Sequence, residues 1–244
     1  MLRRLLPGDF LGDPFDAARN VVLGAVLETN IGGVRTAGLI TEAEVYIGGS
    51  DKASHTYGYR RTERVMSQYE MGGHAYVFLV YGIHAQFCVV LGERDVPNVV
   101  LVRSVMPLWG TDEMLRRRGK IKPDDGIPSR RIKAKLDAAL CAGPGNATKA
   151  LGVTTRLNGV DLCASDEIGL YVPAEPETGA GRDISSHAVM PYSDEALRAI
   201  LSARADEIVE APRVGIDYAE EYAAMKWRYY YRNNRFVSKK LRAQ

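Results

Sequence analysis

The chain of 244 residues is poor in cysteine and has no long apolar run. Its three cysteines, Cys88, Cys141 and Cys163, include an odd one and form no C-x-x-C pair, which argues against a disulfide framework or a structural zinc site. No apolar run reaches the roughly 18 to 20 residues of a membrane helix. The first residues, "MLRRLLPGDFLGD", are too short and too charged for a secretion signal. These absences predict a cytoplasmic protein that is not secreted and does not span a membrane.

Hydrophobic residues make up 46% of the chain and charged residues 25%, the balance of a globular protein with a sizeable core. The net charge is only +2, but basic residues collect between Lys226 and Arg242, where five aromatic residues are interleaved and no acid occurs. This mixture suits a polyanion, because cations neutralise phosphates and rings stack on bases. The alternative interpretation is a solvated charged face over a buried aromatic strand.

Strand patterns dominate the first half of the chain and helical patterns the second. Two strands are predicted to meet in a turn at Asn30–Gly33, and two more in "HAYVFLVYGIHAQFCVVLG" around Tyr81–Gly82. Further strands are predicted in "NVVLVRSV" and "EIGLYV", and strand and turn elements in "PRVGIDYA" and "WRYYYRNNRFVS". Helices are predicted in "TDEMLRRRG" with Thr111 as cap, "SRRIKAKLDAALCAG", "NATKALGV" and "SDEALRAILSARADEIV" with Ser193 as cap. No Gly-rich phosphate loop is present.

These patterns predict one mixed α/β domain of the α+β type over residues 1–244. Its curved, largely antiparallel sheet is expected to be surrounded by helices and to carry a protruding β-hairpin.

The segment "ITEAEVYIG" places Glu42 and Glu44 at the same strand parity, so both carboxylates are predicted to point to one face. One interpretation is the solvated side of an antiparallel sheet. The other makes one carboxylate a general base on water, with Tyr46 and His55 flanking a flat substrate.

The hairpin pattern allows two interpretations as well. Tyr76, Phe78 and Val80 share one face, and these aromatic residues could belong to a buried core. An exposed Tyr81 beside Gly82 could instead act as a wedge between bases, holding open the gap left by an extruded nucleotide.

The ordered series "ITEAEVYIG", "DKASH", "RVM", "GHAYVFLVYGIH", "VVLVRSVMPLWG", "CAGPGNATKALGV", "PRVGI" and "WRYYYRNNRFVS" resembles the alkyladenine (3-methyladenine) DNA glycosylase family, of which this chain would be a divergent member. Each piece is weakly specific, whereas the full order is specific and covers most of the chain. The segment 175–209 has little counterpart in the family and is interpreted as an insertion. The resemblance implies base excision repair without a cofactor or metal.

The resemblance assigns roles residue by residue. It implies that Glu44 activates the water that hydrolyses the glycosidic bond, and that Arg103 and the carbonyl of Val214 position this water. It implies a base pocket and a DNA-contacting surface. The base pocket comprises Tyr46, His55, Phe78, Ala53, Leu101 and Cys88, and the DNA surface comprises Tyr81, Gly82, Met66, Arg61 and Asn146.

Two substitutions distinguish this chain within the resemblance. "HAQFC" stands where the family has "HYCLN", so that Cys88 replaces an Asn that helps to exclude guanine. "GPGN" replaces "GPGK", so that Asn146 stands in place of a phosphate-contacting cation.

The implied partner is double-stranded DNA carrying alkylated or deaminated purines, with no membrane and no obligate protein partner. The implied enzyme is a monomeric, monofunctional N-glycosylase. A non-catalytic protein that binds lesion DNA is the alternative favoured by the altered pocket. A hydrolase or transferase acting on another nucleotide or RNA is a third interpretation.

Overall fold

The computed structural model describes residues 1–121, 139–174 and 193–241. Within them the strands are β1 (Leu2–Arg4), β2 (Val26–Ile31), β3 (Val34–Tyr46), β4 (Ala75–Val80), β5 (His84–Leu91), β6 (Asn98–Trp109), β7 (Ile168–Pro173), β8 (Ile208–Ala211) and β9 (Arg228–Tyr231). The α-helices are α1 (Pro14–Asp16), α2 (Thr111–Arg117), α3 (Pro144–Leu151) and α4 (Asp194–Arg204). A π-helical segment, Ala17–Val22, follows α1, and 3₁₀ segments cover Pro7–Phe10, Glu63–Tyr69, Thr155–Leu157 and Asp217–Ala224.

All named strand pairs are antiparallel and belong to one sheet in the order β1-β7-β2-β3-β6-β5-β4. Strand β3 is central, because it pairs with β2 and β6 and, through residues 42–44, also with β9. Register shifts interrupt the β3–β6 ladder beside Gly38 and on both sides of Glu42. Such irregularities bend a strand and increase its local twist. The predicted mixed fold with a largely antiparallel sheet is therefore confirmed.

The β4–β5 hairpin extends past the strand beside it. Its register runs to Val80 opposite His84, whereas the β5–β6 ladder ends at Cys88 opposite Leu101. The sheet therefore forks beyond Cys88, with the hairpin on one side and β6 on the other.

The main core packs helices against the sheet. Strand residues such as Ile40, Val89 and Val102 belong to the same buried cluster as Leu115 of α2 and Leu151 of α3. This arrangement leaves the opposite side of the β3–β6–β5–β4 region free to carry a site.

Several local predictions are corrected by the structure. Thr111 is the first residue of α2 rather than its cap, a position held by Gly110 in a left-handed conformation. Of the strand and turn elements predicted at the end of the chain, "PRVGIDYA" contributes no strand, and its Asp217 begins a 3₁₀ segment. Helix α4 begins after the predicted cap Ser193, whose side chain accepts from the Ala196 N–H, but it ends at Arg204. Ile208 and Val209, predicted as the end of this helix, begin β8 instead, because they pair with β9.

The described part of the predicted insertion belongs to the same fold. Ile200 of α4 is fully buried against Val26 and Leu39, and the Arg204 guanidinium donates to the Gly24 carbonyl at 2.7 Å. The remainder, 175–192, lies outside the described residues, as does most of the helix predicted for "SRRIKAKLDAALCAG".

Candidate active site

The two glutamates of β3 belong to a buried cluster of charged side chains. Glu42 and Glu44 are both completely buried, so their face is not the solvated side of the sheet. Arg103 of β6 lies between them, with Nε 3.1 Å from Glu42 Oε1 and Nη1 3.2 Å from Glu44 Oε2. Buried charges are tolerated only when they are paired and hydrogen-bonded. The two glutamates therefore point to one face, as predicted, and both bind the same buried arginine.

Glu42 has a structural set of partners. It accepts from Arg228 Nη1 at 2.9 Å, from Ser104 Oγ at 3.0 Å and from the Ser238 N–H at 2.7 Å. These contacts join β3, β6, β9 and the chain after β9, which leaves Glu42 little capacity to bind anything else.

Glu44 is equally buried but has fewer hydrogen-bond partners than Glu42. Its Oε2 accepts from Arg103 and from the Tyr46 hydroxyl at 2.9 Å, whereas Oε1 accepts the Val214 N–H at 2.7 Å. Burial raises the pKa of Glu44 above its ordinary value, although Arg103, the Val214 N–H and Tyr46 lower it in part. Because a carboxylate oxygen accepts about two hydrogen bonds, Oε1 keeps capacity for a water.

A cavity of about 260 Å³ opens above this cluster at the fork of the sheet. All six residues predicted for the base pocket line it: Tyr46, His55, Phe78, Ala53, Leu101 and Cys88. Arg103 and Val214 line it as well. Glu44 does not line the cavity itself but is hydrogen-bonded to three residues that do, Tyr46, Arg103 and Val214. The volume is near the lower end for small-molecule sites, about 300–1,000 Å³, and suits one flat ligand.

Aromatic rings form the wall on the hairpin side. Tyr76 and Phe78 stack with centroids 5.1 Å apart, and the edge of His55 meets Phe78 at 4.6 Å. His55 Nδ1 is 2.8 Å from the Tyr76 hydroxyl, which fixes the imidazole orientation. Partial burial and nearby Arg64 lower the pKa of His55, so the ring is neutral near pH 7. The wall is therefore uncharged and suited to stacking.

The hairpin tip presents Tyr81 to solvent. Its side chain is 92% exposed, and its backbone has φ of +52°, followed by Gly82 at +72°. A left-handed conformation costs a non-glycine residue about 1–2 kcal/mol, and no packing contact of the ring offsets it. Strain of this kind at an exposed aromatic residue is typical of functional positions.

The other predicted DNA-contacting residues lie outside the cavity. Met66 is 43% exposed, and Arg61 stacks on Tyr69 and pairs with Asp95 at 2.7 Å. The Asn146 amide donates to the Ala142 carbonyl at 2.7 Å. None of the three lines the cavity.

The basic, aromatic carboxyl-terminal segment is mainly structural. Its Tyr229, Tyr230 and Tyr231 are buried in β9, and Arg228 is paired with Glu42. This is the buried aromatic strand that the sequence left open as the alternative.

A buried ion pair that the sequence did not reveal supports the site. Arg213 and Asp51 are both fully buried, with Nη2 2.9 Å from Oδ1, and the Arg213 guanidinium lies 4.5 Å from the Tyr46 ring centroid. Asp51 also accepts the Ala53 N–H at 2.9 Å. Arg213 occurs in "PRVGI" and Asp51 in "DKASH", but no spacing rule pairs residues so far apart.

Further lining residues were also missed: Ser54, Gln68, Tyr76, Val80, Gln86, Val99, Gly215, Ile216 and Tyr218. The strand parity shared with Phe78 could have indicated Tyr76 and Val80. Within the described ranges, no cluster of three or more His, Cys, Asp or Glu side chains could hold a metal ion, and no helix is long and apolar enough to cross a membrane.

The fold and the site together define a class of protein, in which an antiparallel sheet carries a buried carboxylate beneath an aromatic cavity, next to an exposed aromatic hairpin tip. The family model for methylpurine-DNA glycosylase matches residues 9–235. The chain belongs to this family.

Curated relatives agree with the family match. The chain is 36% identical to the "Putative 3-methyladenine DNA glycosylase" of Bacillus cytotoxicus, over 96% of this chain and 98% of the relative. It is 37% identical to the protein of the same name from Clostridium perfringens, over 90% and 91%, and 34% identical to that from Chlamydia abortus, over 90% and 94%.

Proposed function

We propose that this protein is a monofunctional DNA glycosylase that extrudes alkylated or deaminated purines from duplex DNA and hydrolyses their N-glycosidic bond. The observation that carries the proposal is Glu44, a buried carboxylate held by Arg103, Tyr46 and Val214 directly below the aromatic cavity. Membership of the methylpurine-DNA glycosylase family supports the same reaction.

In the proposed reaction, a water bound to Glu44 Oε1 attacks C1′ of the extruded nucleotide and gives its proton to the carboxylate. The C1′–N bond breaks, its electron pair leaves with the base, and an abasic site remains. A cationic alkylated base leaves as a neutral molecule, whereas a deaminated base such as hypoxanthine leaves as an anion and takes a proton from solvent water. Glu44 also stabilises the positive charge that develops on the sugar. Many alkylated purines, such as 3-methyladenine, already carry a positive charge, which stacks well on the rings of Tyr46 and Phe78.

The test is base release from duplexes carrying hypoxanthine, ethenoadenine or 3-methyladenine, with the bases identified by mass. Release of at least one lesion base is expected, whereas no release beside an active control glycosylase would contradict catalysis. Tight lesion binding without release would favour the binding protein. The retained, buried Glu44 speaks against that alternative, because a carboxylate repels a phosphate-rich ligand. Free nucleosides and lesion-bearing RNA test the third interpretation.

The proposed wedge can be tested by Tyr81→Gly, which removes the ring but keeps a residue that adopts positive φ freely. We expect kcat/KM on lesion duplexes to fall about 10-fold or more, since a stacked ring is worth about 1–3 kcal/mol per base. The melting temperature should not fall, because the ring is 92% exposed. Leu201→Ala removes another exposed apolar side chain, on α4, and serves as control. Unchanged activity of Tyr81→Gly would exclude the wedge.

The raised pKa of Glu44 predicts how the reaction rate falls at acidic pH. A general base must be ionised, so the rate should decline as the pH falls through the pKa that Glu44 has in the folded protein. Because burial raises this pKa, the midpoint should lie above the ordinary carboxylate value of 4.5. Single-turnover release of hypoxanthine, a neutral lesion, measured across the acid range gives the midpoint. A midpoint at or below 4.5 would show that the general base does not have the raised pKa of a buried carboxylate.

A further inference from the structure

The cavity has few polar groups that are free to bind a ligand. The Tyr46 hydroxyl is bonded to Glu44, the Ser54 hydroxyl to Thr56 at 2.9 Å and the His55 Nδ1 to Tyr76. Arg103 is bonded to Glu42 and Glu44. These lining groups therefore already use part of their hydrogen-bonding capacity within the protein.

Besides the Cys88 thiol, three polar side chains not yet considered also line the cavity: Gln68, Tyr218 and Gln86. Gln68 is 1% exposed, both of its amide atoms are sealed from solvent, and it is close enough to the Tyr76 hydroxyl to lower the pKa of that group. Tyr218 is 68% exposed and stands at the rim. Gln86 is half-buried and lines the cavity, and no other described residue bonds its amide. Gln86 is therefore a half-buried amide at this cavity that has no partner among the described residues.

The sheet register places Gln86 on the wall opposite the catalytic carboxylate. Glu44, Leu101 and Cys88 are consecutive partners across β3, β6 and β5. Two strand spacings, about 10 Å, therefore separate the backbones of β3 and β5. Gln86 lies two residues beyond Cys88 on the same face, opposite Phe78, where the sheet forks. A purine with C1′ beside Glu44 would direct its Watson–Crick edge toward this wall.

The neighbouring Cys88 cannot read that edge well. Burial, with a smaller effect of Glu44, raises the pKa of its thiol, which therefore stays protonated. A thiol is a weak donor and a weak acceptor. The Gln86 amide offers two donors and a carbonyl acceptor, and rotation exchanges them.

We propose that Gln86 determines specificity by hydrogen-bonding the Watson–Crick edge of the extruded purine, and that amide rotation lets the pocket accept both 6-amino and 6-oxo purines. This inference rests on the proposed function. A site built around a hydrogen bond discriminates against ligands that lack the matching group, because its own polar atom is then left unpaired.

The test compares wild type with Gln86→Met, which keeps the length of the side chain but removes its hydrogen bonds. Substrates are 3-methyladenine in methylated DNA, hypoxanthine, and purine unsubstituted at C6. We expect kcat/KM to fall about 10-fold for the first two substrates and less than about 2-fold for unsubstituted purine. Gln86→Met with Cys88→Asn, which supplies an amide two residues deeper, should change the ratio between the 6-amino and 6-oxo substrates.

The outcomes separate the inference from the proposed function. Release by wild type with an equal loss for all three substrates, or with no loss for any, would overturn the role of Gln86 and leave the glycosylase intact. Failure of wild type to release any base would overturn both. Thermal unfolding of each variant identifies a loss that comes from misfolding.

Discussion

Glu44→Gln is expected to abolish base release while sparing the binding of lesion DNA. The substitution keeps the shape of the side chain and its contact with the Val214 N–H, but the amide cannot take a proton from water. General-base catalysis contributes about 100- to 10,000-fold, and the loss of the negative charge beside the developing sugar cation adds to this. Single-turnover release should therefore fall by about 1,000-fold or more, the order expected for these two effects together.

Glu210→Gln is the matched control. This glutamate lies on β8 with a half-exposed side chain in a surface pair with Arg19, so the same chemical change there should leave the rate unaltered. Binding to a hypoxanthine duplex should be unchanged or tighter for Glu44→Gln, because a negative charge near the DNA is removed. Residual release within about 10-fold of wild type would exclude Glu44 as the base and point to another lining group.

The hairpin and the β3 glutamates show which features local sequence patterns can predict. Alternating side chains and a glycine beside Tyr81 are sufficient to predict β4, β5 and the turn between them. The parity of Glu42 and Glu44 also holds. What parity cannot decide is whether a face is wet or buried, because the partners Arg103 and Arg228 arrive from β6 and β9, far along the chain.

The helix α4 and the segment after Pro212 show where these rules fail. Helical spacing continues past Arg204, yet Ile208–Ala211 pair with β9, since tertiary pairing outweighs a weak local preference. The "PRVGI" segment has a strand-like pattern but forms no strand. Instead its Arg213 side chain donates to Asp51, and its Val214 N–H donates to Glu44. Gln86 was overlooked for a similar reason, because its free amide is visible only once the contacts of the other lining residues are known.

Breaking the Arg213–Asp51 pair is expected to damage both stability and catalysis. Besides the pair itself, Arg213 Nη1 donates to the Val45 carbonyl at 2.9 Å, and the Val214 N–H holds Glu44. Arg213→Met leaves Asp51 charged in a fully buried position, which costs about 3–5 kcal/mol. At about 2–4 °C per kcal/mol for a chain of this size, the melting temperature should fall by about 6 °C or more.

The double variant Arg213→Met with Asp51→Leu separates the two effects. Replacing both charges by apolar side chains should recover much of the stability, because a buried ion pair is often no better than a hydrophobic pair. The rate should remain at least about 10-fold below that of wild type. A leucine side chain cannot accept a hydrogen bond from the Ala53 N–H, and the guanidinium that packs on the Tyr46 ring is gone. Arg156→Met breaks the exposed Arg156–Glu167 pair and should leave the melting temperature nearly unchanged, because exposed ion pairs add little stability. Full recovery of the rate together with stability would show that the pair supports the fold alone.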